Sequence, residues 1–291
     1  MEKAASIEQL LEAGAHFGHL TRRWNPKMDK FIFTERNGIH IIDLRKTQVL
    51  LTLAKKAVFD IAQQGKTVLF IGTKGQAKDI IENQSKRAET NYVCERWLGG
   101  MLTNFSTIRK SIKRLETLDK MEVDGTFEKI TKKERLLITR EKDRLRKVFG
   151  GVESMTRLPG ALFIVDIRKE HLAVKEAKIL GIPVIAVVDT NTDPEEVDFP
   201  IPANDDSVKT IELITGIMAD AVVKGSEISR IKKAELSAED DREGKESEDE
   251  TSSKVKRQMR ERKRSQRQDQ GGRPQRETQK EESAEGSDDN N

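Results

Sequence analysis

The feature that most constrains the fold is a pair of short, uninterrupted apolar runs, Ala161–Val165 and Pro183–Val188, separated by one helix-length segment. Strands that are apolar on both faces suit a parallel sheet covered by helices on both sides. Between the runs, apolar residues recur at helical spacing, and Gly181 is placed to end that helix. The stretch therefore predicts a strand–helix–strand unit with the usual right-handed crossover.

Further apolar runs extend this unit into a larger sheet. We predict core strands at residues 67–72, 92–94 and 199–204. We predict helices at residues 47–64, 76–88 and 208–223. The alternation of strands and helices indicates a three-layer α/β domain with a five-stranded parallel sheet.

The N-terminal region carries two local signals. Ser6 and Gln9 form a capping box for a first helix, which ends in a glycine-rich turn at Gly14–His19. The dipeptide Asn37–Gly38 lies between two apolar segments, the strongest short-range signal for a β-hairpin. We therefore expect a helix and then a hairpin before the first core strand.

Residues 104–150 interrupt the α/β alternation. A narrow apolar stripe runs along each of two helices, and Asp124–Gly125 marks a turn between them. The segment therefore predicts a coiled-coil helical hairpin, inserted between two core strands. The two stripes consist of Ile108, Ile112, Leu115 and Leu118, and of Leu137, Leu145 and Val148.

Charge is distributed unevenly along the chain. Charged residues make up 35% of the 291 residues, against about 25% in average globular chains. The formal net charge of +3 conceals an acidic block at residues 235–250 and a basic block at residues 254–267. Because these blocks hold no apolar set to offset the entropy of ordering, we predict a domain over residues 1–228 and a disordered charged tail over residues 229–291.

Several classes of protein are disfavoured. The single cysteine, Cys94, excludes an intrachain disulfide and favours a reducing cytoplasm. Met1–Leu20 carries no secretory pattern, and no run approaches the roughly 20 apolar residues of a membrane span. No serine sits in a nucleophile elbow, and no carboxylate pair is marked by its spacing. We therefore expect a cytoplasmic protein with no membrane association, no small-molecule substrate and no catalytic activity.

The turn Gly72–Gly75 follows a predicted strand and precedes a predicted helix, where backbone N–H groups could cradle a phosphate. Its glycine spacing matches neither the dinucleotide-binding fingerprint nor a P-loop, so a structural turn is favoured over a mononucleotide site. Lys74 in this turn remains a candidate for contact with a backbone phosphate of a nucleic acid.

Candidate metal ligands lie near the ends of predicted strands. Four aspartates follow these strands, at the edge where α/β sheets place ligands. They could hold a divalent ion, but they are equally suited to caps and turns. His16 and His19 could share a face as metal ligands, but capping or core histidines are favoured. The aspartates are Asp166, Asp189, Asp205 and Asp206.

Two basic clusters give the strongest functional signal. Lysine and arginine at these positions would follow nucleic-acid phosphates in a sequence-independent, salt-sensitive way. The alternative is a solvated helix face with i,i+4 ion pairs, which Glu134, Glu141 and Asp143 partly support. Together with the basic tail block, the clusters favour RNA contact. The first cluster is a loop with Arg22, Arg23, Trp24 and Lys27. The second is the hairpin, with Arg109, Lys110, Lys113 and Arg114 on its first helix, Lys129, Lys132, Lys133 and Arg135 after its turn, and Arg140, Lys142, Arg144, Arg146 and Lys147 on its return helix.

Many separate blocks of this chain, in order, resemble the bacterial ribosomal protein S2 family of the small subunit. They span roughly Ile7–Val223, which makes the resemblance far more specific than one short motif. The blocks include LLEAGAHFGHLTRRWNPKMDKFIF, LFIGTK, RWLGGMLTNF, LPGALFIVD, KEAKILGIPVIAVVDTNTDP and IPANDDS.

The resemblance implies a flavodoxin-like domain with a projecting coiled-coil hairpin and a structural role in translation. It implies contact with small-subunit ribosomal RNA and with neighbouring proteins, including ribosomal protein S1, which the family helps to dock. We add Arg96, in the RWLGGMLTNF block, to the expected RNA contacts. No cofactor is required, but some members place zinc or magnesium near the equivalents of His19, Asp189 and Asp205. The charged tail lies outside the resemblance.

Two other functions remain open on the residues alone. An enzyme acting on a nucleotide or sugar phosphate would use the Gly72–Gly75 turn and lose activity when Lys74 is replaced. A protein-interaction scaffold would pack its hairpin on partner helices and would bind at high salt. RNA binding predicts instead that affinity falls steeply with salt.

Overall fold

The computed structural model describes residues 4–125 and 130–235, and one compact unit extends to Lys232. The strands are β1 Phe17–Leu20, β2 Ile32–Arg36, β3 Ile39–Ile42, β4 Val68–Ile71, β5 Tyr92–Val93, β6 Ala161–Val165, β7 Val184–Val188 and β8 Phe199–Pro202. The helices are α1 Ile7–Glu12, α2 Leu44–Gln63, α3 Lys78–Arg87, α4 Phe105–Val123, α5 Lys132–Phe149, α6 His171–Leu180 and α7 over residues 208–235.

The core is a five-stranded parallel sheet in the order β5-β4-β6-β7-β8. This is the flavodoxin-like order, so the predicted α/β class and the predicted sheet are confirmed. Every residue of β4, β6 and β7 is buried, as expected for strands covered on both faces. The sheet register aligns Ile71 with Ile164 and Val165 with Val187.

Helices cover both faces of the sheet, which gives three layers. One face carries Phe70 and Phe163 and packs against α1, α2, α3 and α7. The opposite face carries Leu69 and Ile164 and packs against α6 and the base of the α4–α5 hairpin. Alternate strand residues thus bury into different layers, because successive side chains point to opposite faces.

A small antiparallel sheet, in the order β1-β3-β2, lies before the core strands. The predicted hairpin is confirmed, since Asn37 (φ 53°) and Gly38 (φ 73°) both adopt the positive φ of a type I′ turn. The prediction that residues 14–19 form only a turn is wrong, because residues 17–20 pair with β3. A Cβ on Gly18 would lie 2.6 Å from the Thr190 Cγ2. Strand β1 therefore passes so close to Thr190 that only glycine fits at this position without a shift.

The helical hairpin consists of α4 and α5, and its turn residues 126–129 lie outside the described residues. The α4 stripe is buried as predicted. The α5 stripe differs, because Leu137 is 56% exposed whereas Lys142 is buried. The side chain of Lys142 lies along the seam, the line of contact between α4 and α5, and its ammonium pairs with Asp119 (3.7 Å) and Glu122. At this point ion pairs, and not the predicted leucine contact, join the two helices.

The last helix extends further than predicted. Residues 229–235, assigned to the disordered tail by the sequence, are helical. Ser229 is buried and Arg230 pairs with Glu89, so tertiary contacts reach the first residues of this extension, whereas residues 231–235 are exposed. The predicted tail from residue 236 onward lies outside the described residues. Within the described ranges, none of the helices is long and apolar enough to cross a membrane.

Candidate nucleic-acid interface

The loop that leads into the hairpin is held by one buried carboxylate. Glu176 of α6 accepts hydrogen bonds from the Trp97 indole (3.0 Å) and from the backbone N–H of Gly100 (2.8 Å). It also accepts from the backbone N–H of Leu102 (2.9 Å) and Thr103 (3.0 Å). Burial alone would raise the pKa of Glu176, but these donors outweigh it and lower the pKa. The carboxylate is therefore ionised, and it fixes the start of α4 on the sheet.

The four cations predicted on α4 divide into two kinds. Arg109 donates to the Met155 carbonyl oxygen (3.0 Å), and Arg114 donates to both oxygens of Glu141 (3.2 and 3.3 Å). Lys110 and Lys113 are exposed and have no ion-pair partner among the described residues. Of the four, Lys110 and Lys113 are therefore the pair that is both exposed and without any described partner, and they are the ones best placed to meet a polyanion.

Helix α5 adds a row of cations to the same hairpin. Lys133, Arg140 and Arg144 are spaced by seven and four residues, so they lie on one side of the helix, and all three are exposed. None of them forms an ion pair with a residue that the structure describes. Arg96, in the loop before α4, is likewise exposed, and it pairs with no described acidic residue.

The loop at residues 21–24 presents cations beside an aromatic ring. It forms a short 3-10 turn at Thr21–Arg23, and Arg22 and Arg23 are exposed. Trp24 is 37% exposed, with its ring centroid 5.1 Å from that of His40. One side of the indole is thus held by the protein, while part of it remains open for stacking.

Lys27, the last predicted cation of this loop, is neutralised locally. Its ammonium lies 2.8 Å from Asp193 and 2.7 Å from Glu195. The structure brings Arg168 of the β6–α6 connection and His171, the first residue of α6, to the same cavity as Arg23, of about 400 Å³, which Asp193 and Glu196 also line. No local pattern marks these two residues, because they approach Arg23 only through the fold.

Lys74 lies inside an acidic cluster and not on an open surface. Its ammonium is 2.7 Å from Asp205, 2.6 Å from Asp206 and 3.6 Å from Asp166. Burial alone would lower the pKa of Lys74, but the hydrogen bonds to Asp205 and Asp206 outweigh it and raise the pKa. A lysine balanced by three carboxylates has no charge left for a phosphate, so the geometry argues against the predicted RNA contact.

The Gly72–Gly75 turn is also occupied by the protein's own groups. The Thr73 hydroxyl and backbone N–H both donate hydrogen bonds to the Glu170 carboxylate, and the Lys169 ammonium donates to the Thr73 carbonyl oxygen (2.8 Å). A Cβ at Gly72 would lie 2.9 Å from Ile81, so helix packing accounts for this glycine. The position where flavodoxin-like sheets bind nucleotides is thus filled, which opposes the mononucleotide alternative.

His19 joins the acidic cluster from β1. Its Nδ1 lies 3.0 Å from Asp189, and its Nε2 lies 3.4 Å from Asp206. The hydrogen bond to Asp189 raises the pKa of His19, and burial raises the pKa of Asp205 to about 7. Both carboxylate oxygens of Asp189 are engaged, by Thr190 and by His19, so Asp189 orients the ring.

The donor atoms of His19, Asp205 and Asp206 lie within 4.8 Å of one another. This set differs from the predicted His19, Asp189 and Asp205, because Asp189 faces Nδ1 of His19 and Asp206 is the carboxylate that faces Nε2. One imidazole and two carboxylates suit a divalent cation, and a carboxylate behind the histidine is a common second shell. His16 lies apart, with its buried Nδ1 unpaired among described residues and its ring against Phe17.

Comparison with known proteins gives a consistent result. Residues 10–225 match the family described as ribosomal protein S2. A protein named small ribosomal subunit protein uS2 from Chlorobaculum parvum is 58% identical over 228 residues, covering 78% of this chain and 91% of that protein. The proteins of the same name from Chloroherpeton thalassium and Cytophaga hutchinsonii are 59% identical over 224 residues and 50% identical over 249 residues. These alignments cover 77% and 86% of this chain, and 90% and 98% of the two relatives.

Proposed function

The chain belongs to the ribosomal protein S2 family, and from this premise we propose that it is a structural component of the small ribosomal subunit that binds ribosomal RNA through its hairpin and its 21–24 loop. Membership of the family also means that the protein is structural and not an enzyme. The protein then acts in translation, as part of the cytoplasmic ribosome.

One observation carries the RNA proposal. Among the cations predicted to contact RNA, the exposed ones without an acidic partner in the described ranges lie on the hairpin, just before it at Arg96, and on the 21–24 loop, whereas Lys27 and Lys74 are neutralised. The proposed contact set is Arg22, Arg23, Arg96, Lys110, Lys113, Lys133, Arg140 and Arg144, with Trp24 as a stacking surface. Lys27, Lys74, Arg109 and Arg114 are assigned structural roles instead.

These cations would read shape and not sequence. The major groove of an A-form helix is too narrow for side chains, so lysine and arginine on a rigid hairpin can follow phosphates across a minor groove. Each neutralised phosphate releases counterions, so binding weakens steeply as salt is raised.

The test is a charge reversal that leaves the seam intact. Lys110→Glu/Lys113→Glu should lower affinity for small-subunit RNA by at least tenfold at moderate salt. It should also reduce the slope of log affinity against log salt concentration by an amount that corresponds to about two phosphate contacts. The matched control is Lys209→Glu/Lys224→Glu, two exposed lysines of α7, which packs on the opposite face of the sheet. Equal affinity in the two variants would refute the assignment.

Two finer functions are also proposed. Docking of ribosomal protein S1 follows from the family resemblance, and it is tested by co-sedimentation of S1 with subunits that contain or lack this chain. A divalent cation would be held by His19, Asp205 and Asp206, which is supported by four clustered aspartates facing one lysine and one histidine. Zinc or magnesium titration of the protein and of His19→Ala, followed by calorimetry, tests this site, with His16→Ala as the control.

A further inference from the structure

A groove of about 570 Å³ opens at the end of the sheet opposite the acidic cluster. It is lined by Thr67, Asn91, Gly160 and Pro183, each of which immediately precedes a parallel strand. Its volume falls within the range of clefts that hold small organic ligands. Neither the hairpin nor the 21–24 loop lines this groove, so it is separate from the interface described above.

The groove carries positive charge only. Lys66 and Arg157 line it, both are exposed, and neither pairs with an acidic residue in the part of the chain that the structure describes. No carboxylate is among its lining residues. The cavity between β5 and α5 is different, because Glu82, Glu95 and Glu153 line it alongside its cations.

The two cations are supported by the surrounding structure. A Cβ at Gly160 would lie 2.6 Å from the Lys66 Cβ, so the glycine allows the lysine stem to lie on this loop. Arg109 of the hairpin donates to the carbonyl of Met155, two residues before Arg157, and so ties down the segment that carries Arg157. These contacts give the groove a defined shape.

The rest of the groove's lining consists of apolar side chains and of backbone that no side chain covers. Leu158 is 42% exposed, and Ile182 and Pro183 continue the same lining. Gly181 adopts φ +65°, and open space surrounds the position of its absent Cβ, so a ligand can approach the backbone there. An apolar wall beside two cations suits a base packed against the wall with its phosphate at the cations.

We propose that the groove formed by Lys66, Arg157, Leu158 and Ile182 binds one unpaired nucleotide of RNA. The phosphate is held by Lys66 and Arg157, and the base lies against Leu158 and Ile182. This site rests on the proposed RNA-binding function, but it adds a second kind of contact, to a nucleotide that is extruded from a helix or lies in a single strand.

The experiment compares two RNA probes with the full-length protein. One is a fluorescent ten-nucleotide oligouridylate, and the other is a perfectly paired RNA duplex of twelve base pairs. Lys66→Ala/Arg157→Ala should weaken oligouridylate binding about tenfold and should reduce its salt slope by about 1.4, because each contact on a single strand accounts for about 0.7. Duplex binding should stay within twofold. Lys209→Ala/Lys224→Ala is the matched control and should change neither affinity.

Two further measurements assign the site and its ligand. Oligonucleotides that carry 4-thiouridine should crosslink, on illumination, to the tryptic peptide that follows Arg157 and begins at Leu158. Free uridine monophosphate at millimolar concentration should fail to displace the oligouridylate, since one nucleotide lacks the flanking phosphate contacts. Displacement would overturn the RNA assignment in favour of a mononucleotide site.

The failures of the two proposals are distinguishable. If the unmodified protein binds neither probe, the RNA-binding function itself fails. If it binds both probes, but the groove variant behaves like the α7 control or the crosslinks fall outside the groove, the groove proposal alone is wrong. Thermal unfolding of the groove variant should match that of the unmodified protein, because both replaced side chains are exposed.

Discussion

Replacement of Glu176 by glutamine should destabilise the whole protein, although the two side chains have nearly the same shape. In the native structure, one carboxylate oxygen accepts from Leu102 and Thr103, and the other accepts from Trp97 and Gly100. A glutamine amide keeps one acceptor oxygen and, in either orientation, turns its NH2 group toward two of these N–H donors. Each buried donor left unsatisfied costs about 1–3 kcal/mol. Two such donors give an expected loss of about 2–6 kcal/mol, in line with about 3–5 kcal/mol for a broken buried charge interaction.

The assay is urea unfolding of the full chain at neutral pH, monitored by circular dichroism. Glu212→Gln, at an exposed position on α7, is the matched control and should change stability by less than about 0.5 kcal/mol. Hydrogen exchange should localise the effect, with faster exchange of the amides at residues 100–103 than in the unmodified protein. A loss below about 1 kcal/mol for Glu176→Gln would refute the claim that this carboxylate anchors the loop.

The same substitution predicts a pH dependence of known sign. Because the folded pKa of Glu176 is lowered, its contribution to stability is fully present above the unfolded pKa, near 4.5. The contribution is lost as the pH falls through the folded pKa. The difference between the unmodified protein and Glu176→Gln should therefore shrink below pH 4.5. A difference that stays constant to pH 3 would contradict an ionised anchor, since pH 3 lies about 1.5 units below the unfolded pKa near 4.5.

Further predictions concern packing and charge. Gly151→Ala should abolish soluble expression, because its Cβ would lie 2.2 Å from the Tyr92 carbonyl oxygen. Gly216→Ala should instead stabilise the protein by about 0.5–1 kcal/mol in thermal unfolding, because open space surrounds this position in α7 and alanine favours a helix. Lys74→Met should lower the free energy of unfolding by about 3–5 kcal/mol, because it leaves the negative charge of the carboxylate cluster without a partner. Added magnesium should restore part of this stability, and no response to magnesium would argue against a cation site. Arg114→Ala should cost at most about 1 kcal/mol in urea unfolding, because its pair with Glu141 is largely exposed.

Local patterns in the sequence determined most of the secondary structure. The apolar runs at 161–165 and 183–188 became neighbouring buried strands, because a run apolar on both faces can only be satisfied inside a covered parallel sheet. Asn37–Gly38 formed the expected hairpin turn, because few residues tolerate two successive positive φ angles. The α4 stripe likewise formed the hairpin seam. Each of these signals depends on residues close together in the chain.

The interpretation of charged residues needed tertiary structure. The sequence marked Lys74 and Lys110 alike as phosphate contacts, yet Asp205, 131 positions away, neutralises only the first. Glu176 carried no recognisable signal, although it holds the approach to the hairpin from 73–79 positions away. Strand β1 was missed for the same reason, since its pairing with β3 has no local signature.

The sequence by itself thus determined the fold class, the sheet and the inserted hairpin, because backbone propensity and hydrophobic periodicity act over a few residues. Only the tertiary structure decided which cations remain unpaired, which carboxylate faces each nitrogen of His19, and where a groove without acidic residues opens. Coulombic pairing depends on distance in space, and the distance between two side chains far apart in the chain exists only once the chain is folded.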